Sequence, residues 1–217
     1  NQQGAIFLRG IRNSLIASLL SIVIGIPIAI VTAYPLSRMQ FKGRKAIKNL
    51  LLITMVIPVF ATIIPLFKIF SIFQLVDNML ALVIIYVTSI LPLSVWLLIS
   101  FMESLPYELD EAAIMDGCSR GQLLILIIIP LSRTVIFAAT LIVFLTTWNQ
   151  YLIPLILAPS YTTKPIAVIV SEFVTKTSIN YGLMNAGGII ALIPPALVAI
   201  VFRRFLVKGM VSGATKG

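Results

Sequence analysis

Residues 110–121 read DEAAIMDGCSRG, a charged, small-residue stretch set between two strongly apolar regions. The flanks decide the fold class. Residues 79–102 upstream contain no Asp, Glu, Lys or Arg, and a helix needs about 20 apolar residues to cross a hydrocarbon core. The runs are continuous and do not alternate, which favours spanning helices over barrel strands. The whole chain agrees. Its 217 residues are 59% hydrophobic and 11% charged, with mean hydropathy +1.09, whereas a soluble domain carries about 25% charged residues. The fold class is therefore all-α, a polytopic membrane helix bundle.

Working outward, the sequence predicts five spanning helices. The first covers residues 11–34 and ends in the basic loop SRMQFKGRKAIK. The second covers residues 49–70 and is kinked or interrupted at Pro58 and Pro65. The third is residues 79–102, with Pro92 inside. The fourth starts near Ile127 and runs to about Leu157. The fifth is residues 183–206, where Gly187 and Gly188 permit close helix packing and Pro194 and Pro195 kink or unwind the helix. Residues 1–10 read as an outer-face tail, 11–207 as the transmembrane domain and 208–217 as a cytoplasmic tail. The opening NQQGAIFLRG shows no signal peptide.

The net charge of +9 raises the question of nucleic acid, but the basic residues sit at the ends of apolar runs. That is the positive-inside pattern, so no nucleic-acid partner is expected. Arg38, Lys42, Arg44, Lys45 and Lys48 cluster in the first loop. Arg203, Arg204, Lys208 and Lys216 cluster at the C-terminus. Both clusters fall on one side, the cytoplasm, together with the quoted stretch. The Asp77 turn and residues 160–181 then lie outside, as do Arg9 and Arg12, in mild conflict with the rule. The loop lysines and arginines also suit anionic lipid. A lone Cys118 excludes an internal disulfide and reads as a small filler. With no histidine, no convincing acid pair and no nucleophile–base constellation, neither a metal site nor an intramembrane enzyme is expected. The methionines form no stripe and read as packing.

The quoted stretch reads as short helix, glycine turn, second helix. Ser104 and Pro106 suit a helix start, and Glu108, Asp110 and Glu111 favour its first turns. Ala112 and Ala113 allow close approach by another surface. Gly117 suits a left-handed C-cap, and Ser119 with Gln122 has capping-box spacing. The plainer reading is a solvated connector. Against it, five of the seven acids lie between Glu103 and Asp116, on the side where basic residues should dominate, which suggests a basic partner.

EAAIMDG, nine residues and then the proline-ended IIIP resembles the EAA motif of permease subunits of ATP-binding-cassette importers. Glu111, Ala112, Ala113, Gly117, Ile127 and Pro130 fall in register, and Ile129 replaces the family leucine. RNSLIASL, AYPLSRMQFKGR, WNQYLIPLIL and RRFLVKGMVSGATKG resemble the carbohydrate-uptake, maltose-permease-like branch. The resemblance implies the type I importer permease fold with a cytoplasmic coupling helix at about residues 104–122, and a sixth helix ahead of the first. It implies coupling roles for Glu111, Ala112, Ala113, Asp116, Gly117 and Pro130. It also implies a homologous permease partner, two cytosolic ATPases that bind the ATP and Mg, an extracytoplasmic substrate-binding protein and a sugar substrate. This chain itself is expected to bind no cofactor, since no Gly-x-x-x-x-Gly-Lys-Ser/Thr occurs in it.

Trp148, Asn149, Gln150 and Tyr151 interrupt the fourth helix. They are either lining for the translocation path, with aromatics against sugar faces, or helix–helix glue with an interfacial aromatic belt. Residues 160–181 resemble the loop that reaches toward the binding protein. As bare chemistry they are a polar connector with a re-entrant or surface helix at 166–174. The rival function is an ion-coupled secondary transporter, which needs ionisable groups near mid-membrane. The predicted spans hold almost none.

Overall fold

The structure is a computed structural model that describes residues 2–173 and 181–214; the described residues form helices and no strands. The elements are α1 (Gln2–Arg38), α2 (Arg44–Val56), α3 (Val59–Ile72), α4 (Met79–Ser104), α5 (Glu108–Met115), α6 (Arg120–Leu123), a π-helical turn (Leu124–Ile128), α7 (Ile129–Leu131), α8 (Arg133–Trp148), α9 (Leu152–Leu157), α10 (Ile166–Ser171) and α11 (Tyr181–Ala214). Among the described residues three helices are long and apolar enough to span a membrane, and up to five spans result if each of two bent pairs counts as one.

The centre is the packing of α1 on α4. Along α1 the buried face carries Ser14, Ala17, Ser18, Ser21, Ala29 and Ala33. Spacings of three and four place these small residues on one stripe, and small side chains let helix backbones approach in a membrane. At Gly25 an added Cβ would lie 3.7 Å from Val87 of α4. Val83, Tyr86, Val95, Leu98 and Met102 of α4 are fully enclosed. On the far side α8 contributes Val135, Ala139 and Val143 to the same core.

The predicted second span is two helices meeting at 93°. Ile57 and Pro58 are both extended, and the break falls there, because proline disfavours helical geometry in the residue before it. Pro65, by contrast, is carried inside α3. No residue of α2 is buried, so this amphipathic helix leaves its apolar side open to lipid or to another chain.

The fourth span also differs from expectation. It does not rise straight from Ile127. The segment Arg120–Leu131 meets α8 at a 77° bend near Ser132, and the span ends at Trp148 rather than Leu157. The cause lies around Pro130, which lacks an N–H and clashes with the carbonyl four residues back. Just before it the helix widens into a π turn, with the Ile129 N–H bonding back to the Leu124 carbonyl. Helix α11 runs through Pro194 and Pro195, so the expected unwinding does not occur. Helix α1 likewise begins at Gln2, within the predicted tail. The side chains of residues 203–217 fall outside the described residues, and with them Arg203, Arg204, Lys208 and Lys216.

Candidate functional site

The quoted stretch folds as two short helices around a glycine. Gly117 has φ +85°, the left-handed region that costs other residues about 1–2 kcal/mol. The Gly117 N–H donates to Ile114 O at 3.0 Å and the Cys118 N–H to Ala113 O at 2.9 Å. This pair of bonds is a Schellman cap, which satisfies the last carbonyls of α5. The next helix opens with the expected capping box. The Ser119 hydroxyl accepts from the Gln122 N–H, and the Gln122 side chain accepts from the Ser119 N–H.

One expected cap fails. Ser104 is the last residue of α4, and its hydroxyl donates back to Phe101 O at 2.7 Å. Helix α5 starts instead at Glu108, after Tyr107, with no side-chain cap. The helix α4 continues past its apolar run through Glu103 and takes in the serine.

Helix α5 is two-faced. Asp110 and Ala113, three apart, point inward and are 5% and 4% exposed. Glu108, Glu111, Ala112 and Asp116 are exposed, and Met115 is 87% exposed. Of the two small residues, then, only Ala112 is open to a partner, whereas Ala113 packs in this chain's own core. Pro130 and Gly117 are exposed as well. An acidic and apolar surface lacking any cover sits on a helix of eight residues, too short to be stable alone. Its position is held from beneath by buried contacts.

The neighbouring basic loop lies on the same side of the molecule. Arg44 donates from Nε to Leu36 O at 2.8 Å and from Nη2 to Ser37 O at 2.9 Å, and it pairs with Glu103 at 2.8 Å. A cation at unsatisfied carbonyls of a helix C-terminus is favourable. Lys48 joins the same carboxylate. Glu103, one of the five clustered acids, is thereby neutralised by this chain's own bases, unlike Glu111.

The break at the end of α8 divides the four residues singled out there. Trp148 is 2% exposed; it stacks on Phe144 at 5.7 Å between centroids and donates from Nε1 to Ala191 O of α11 at 3.2 Å. That is helix–helix glue. Asn149 is exposed, with its Nδ2 on Leu145 O at 2.8 Å. Gln150 is half-buried and Tyr151 is 41% exposed.

At the other end of the bundle, Asp77 gathers the segment after α9. It accepts from the Ser160 and Thr163 hydroxyls and the Ser160 N–H, while its own N–H donates to Leu157 O. Partial burial raises the Asp77 pKa, but these hydrogen bonds outweigh it and hold the carboxyl below its ordinary value. Asn13 of α1 donates to Tyr161 O at 3.3 Å and Lys164 O at 3.0 Å, and Ser14 accepts from the Ile166 N–H at 2.9 Å. Helix α10 therefore does not lie on the surface: Ile166, Val168 and Ile169 are each 1% exposed. Residues 174–180 of the predicted outer segment fall outside the described residues.

Similarity to known proteins agrees with this architecture. The trehalose/maltose transport system permease protein of Thermococcus litoralis is 34% identical over 208 residues, which cover 95% of this chain and 75% of that protein. The trehalose transport system permease protein of Mycobacterium tuberculosis is 30% identical over 217 residues, covering 99% and 79%. The crystal structure of a bacterial ABC transporter involved in alginate import matches with TM-score 0.71 at 21% identity, over 97% of this chain and 76% of that one. Residues 25–212 match the family described as the binding-protein-dependent transport system inner membrane component. This chain, a multi-pass inner-membrane permease of an ABC importer, belongs to that family.

Proposed function

We propose that this permease carries a sugar or oligosaccharide inward and that α5 is its coupling helix, docked on a separate ATPase. The observation that carries the reading is the outer face of α5. Glu111, Ala112 and Met115 stand uncovered while Asp110 and Ala113 anchor the helix from below. An exposed methionine beside a carboxylate suits a groove with an apolar floor and a basic rim. In this reading Glu111 meets a basic group of the ATPase, and Asp116 lies on the same exposed side. Gly117 sets the angle to α6, and Pro130 with the π turn aims the rod Arg120–Leu131 at α8. Relatives named for trehalose and maltose uptake support the sugar. The assembly comprises a homologous permease, two cytosolic ATPases that bind ATP and Mg, and an extracytoplasmic binding protein, all within membrane lipid. The α5 side and the C-terminus are cytoplasmic in this reading, which the clustered bases of the first loop support.

Transport is then alternating access. Closure of the ATPases draws the coupling helices together, and the membrane cavity changes the side to which it opens. Asn149, Gln150 and Tyr151, accessible at the helix break, face the translocation path, while Trp148 serves packing; unchanged uptake affinity in Asn149→Ala would remove Asn149 from the path. The whole reading is tested by purifying the complex, identifying its subunits and measuring uptake in proteoliposomes. Uptake should require ATP and survive collapse of ion gradients. Uptake driven by an ion gradient with this chain alone would refute it in favour of a secondary transporter.

A further inference from the structure

Beneath the coupling face lies a charge pair that the docking role does not use. Arg38 is the last residue of α1, and its side chain has no solvent exposure. None of its three nitrogens has a hydrogen-bond acceptor. The Asp110 carboxylate of α5, itself 7% exposed, lies 3.8 Å from Nη1, and its Oδ1 is likewise without a donor. The Tyr107 ring sits 4.8 Å from the guanidinium carbon, and the Tyr107 hydroxyl donates to Ser37 O at 3.2 Å. The Tyr34 hydroxyl, one turn earlier on α1, is also buried and interacts with Arg120 of α6.

A guanidinium has five donors, and enclosing it without acceptors is costly unless another arrangement satisfies it. The gap is small: a charge-assisted bond forms at about 2.7–2.9 Å, so an approach of roughly 1 Å closes it. We infer that Arg38 and Asp110 are positioning residues that tether the coupling helix to the first spanning helix. The pair is held long here and closes to a hydrogen-bonded form when α5 is pushed toward α1. Movement imposed on α5 thus reaches α1, and through its stripe on α4 the bundle core, by a direct route that does not pass through the Gly117 turn. Tyr107 supports this route by fixing one end of α5 to the α1 C-terminus. The inference rests on α5 being the ATPase-facing helix.

The test uses the full reconstituted complex and three variants: Arg38→Lys, Asp110→Asn and the double variant Arg38→Met with Asp110→Leu. Replacing both charges by apolar groups leaves neither one orphaned and is commonly tolerated. The double variant is therefore expected to assemble and to co-purify the ATPase at the unaltered level, yet to transport at least about tenfold less solute per ATP hydrolysed. Asp110→Asn should show a similar loss, and Arg38→Lys, which keeps the charge, should recover part of the coupling. An assembled double variant with normal transport per ATP overturns the inference. Failure of the double variant to assemble also overturns it, because the pair would then be a fold element only. Absence of the ATPase from the unaltered complex would instead refute the docking reading itself, before any variant is made.

Discussion

Gly117→Leu is the perturbation whose consequence can be worked out most completely. A Cβ at Gly117 meets nothing within 4 Å, so crowding at that atom adds no cost. What remains is the backbone: φ is +85°, and an L side chain there costs about 1–2 kcal/mol. That corresponds to a factor of about 5–30 in the ratio of capped to uncapped turn. Two hydrogen bonds depend on it, Gly117 N–H to Ile114 O and Cys118 N–H to Ala113 O. The spans are untouched, so membrane insertion should be normal. Uptake per ATP in proteoliposomes should fall roughly in proportion to the lost turn population. Gly121 is the control. It also has open space for a Cβ, but lies in α6 without positive φ, so Gly121→Ala should leave coupling unchanged. Normal uptake by both Gly117→Leu and Gly117→Val would show that the left-handed turn does not set the coupling geometry.

Two further outcomes follow from the end of the bundle where α1 meets α10. At Gly10 an added Cβ would lie 2.5 Å from Ile169 Cδ1 and 3.2 Å from Ile166 Cα, so Gly10→Ala should cost about 1–3 kcal/mol of stability by overpacking. Adding Ile169→Val, which removes Cδ1, should restore much of the thermal stability; no recovery would contradict the α1–α10 contact. The Asp77 clip should depend on pH with a definite sign. Its folded pKa is depressed, so its contribution is fully present above the unfolded value of about 3.9 and is lost as pH falls through the lower folded value. A spin label at Thr162→Cys, with Cys118→Ser, should report an unchanged environment from pH 7 to about 4 and greater mobility only below about 3.9. Mobility rising near neutral pH would refute the clip.

The parts of this architecture that were legible in the sequence are those determined by neighbours along the chain. The Gly117 cap, the Ser119–Gln122 box and the break at Pro58 depend on residues within four positions, and all occur as expected. The apolar runs likewise reveal the spans. What was hidden depends on tertiary contact. Ser104 has the chemistry of a cap, but α4 runs on through Glu103, which Arg44 and Lys48 hold, and ends on the serine itself. Asp110 reads as one more acid favoured by the helix dipole, yet it is enclosed opposite Arg38. A signal was available, since Asp110 and Ala113 are spaced three apart on the inward face, while Glu111 and Met115 are spaced four apart on the outward one. Asp77 gave no such hint, because its partners lie more than 80 residues away. Trp148 suits path or packing by its chemistry alone, and the α11 carbonyl that its N–H meets, Ala191 O, is 43 residues away.

The most direct measurement is site-specific crosslinking from the exposed face of α5. Cys118 is the chain's single cysteine, so Met115→Cys in a Cys118→Ser background gives a unique reactive position at a residue that is 87% exposed. In membranes containing the whole transporter, docking of α5 should give a crosslink to the ATPase subunit whose yield changes between nucleotide-free and ATP-bound conditions. Crosslinks to lipid alone, or no adduct with any ATP-hydrolysing protein in either condition, would contradict it.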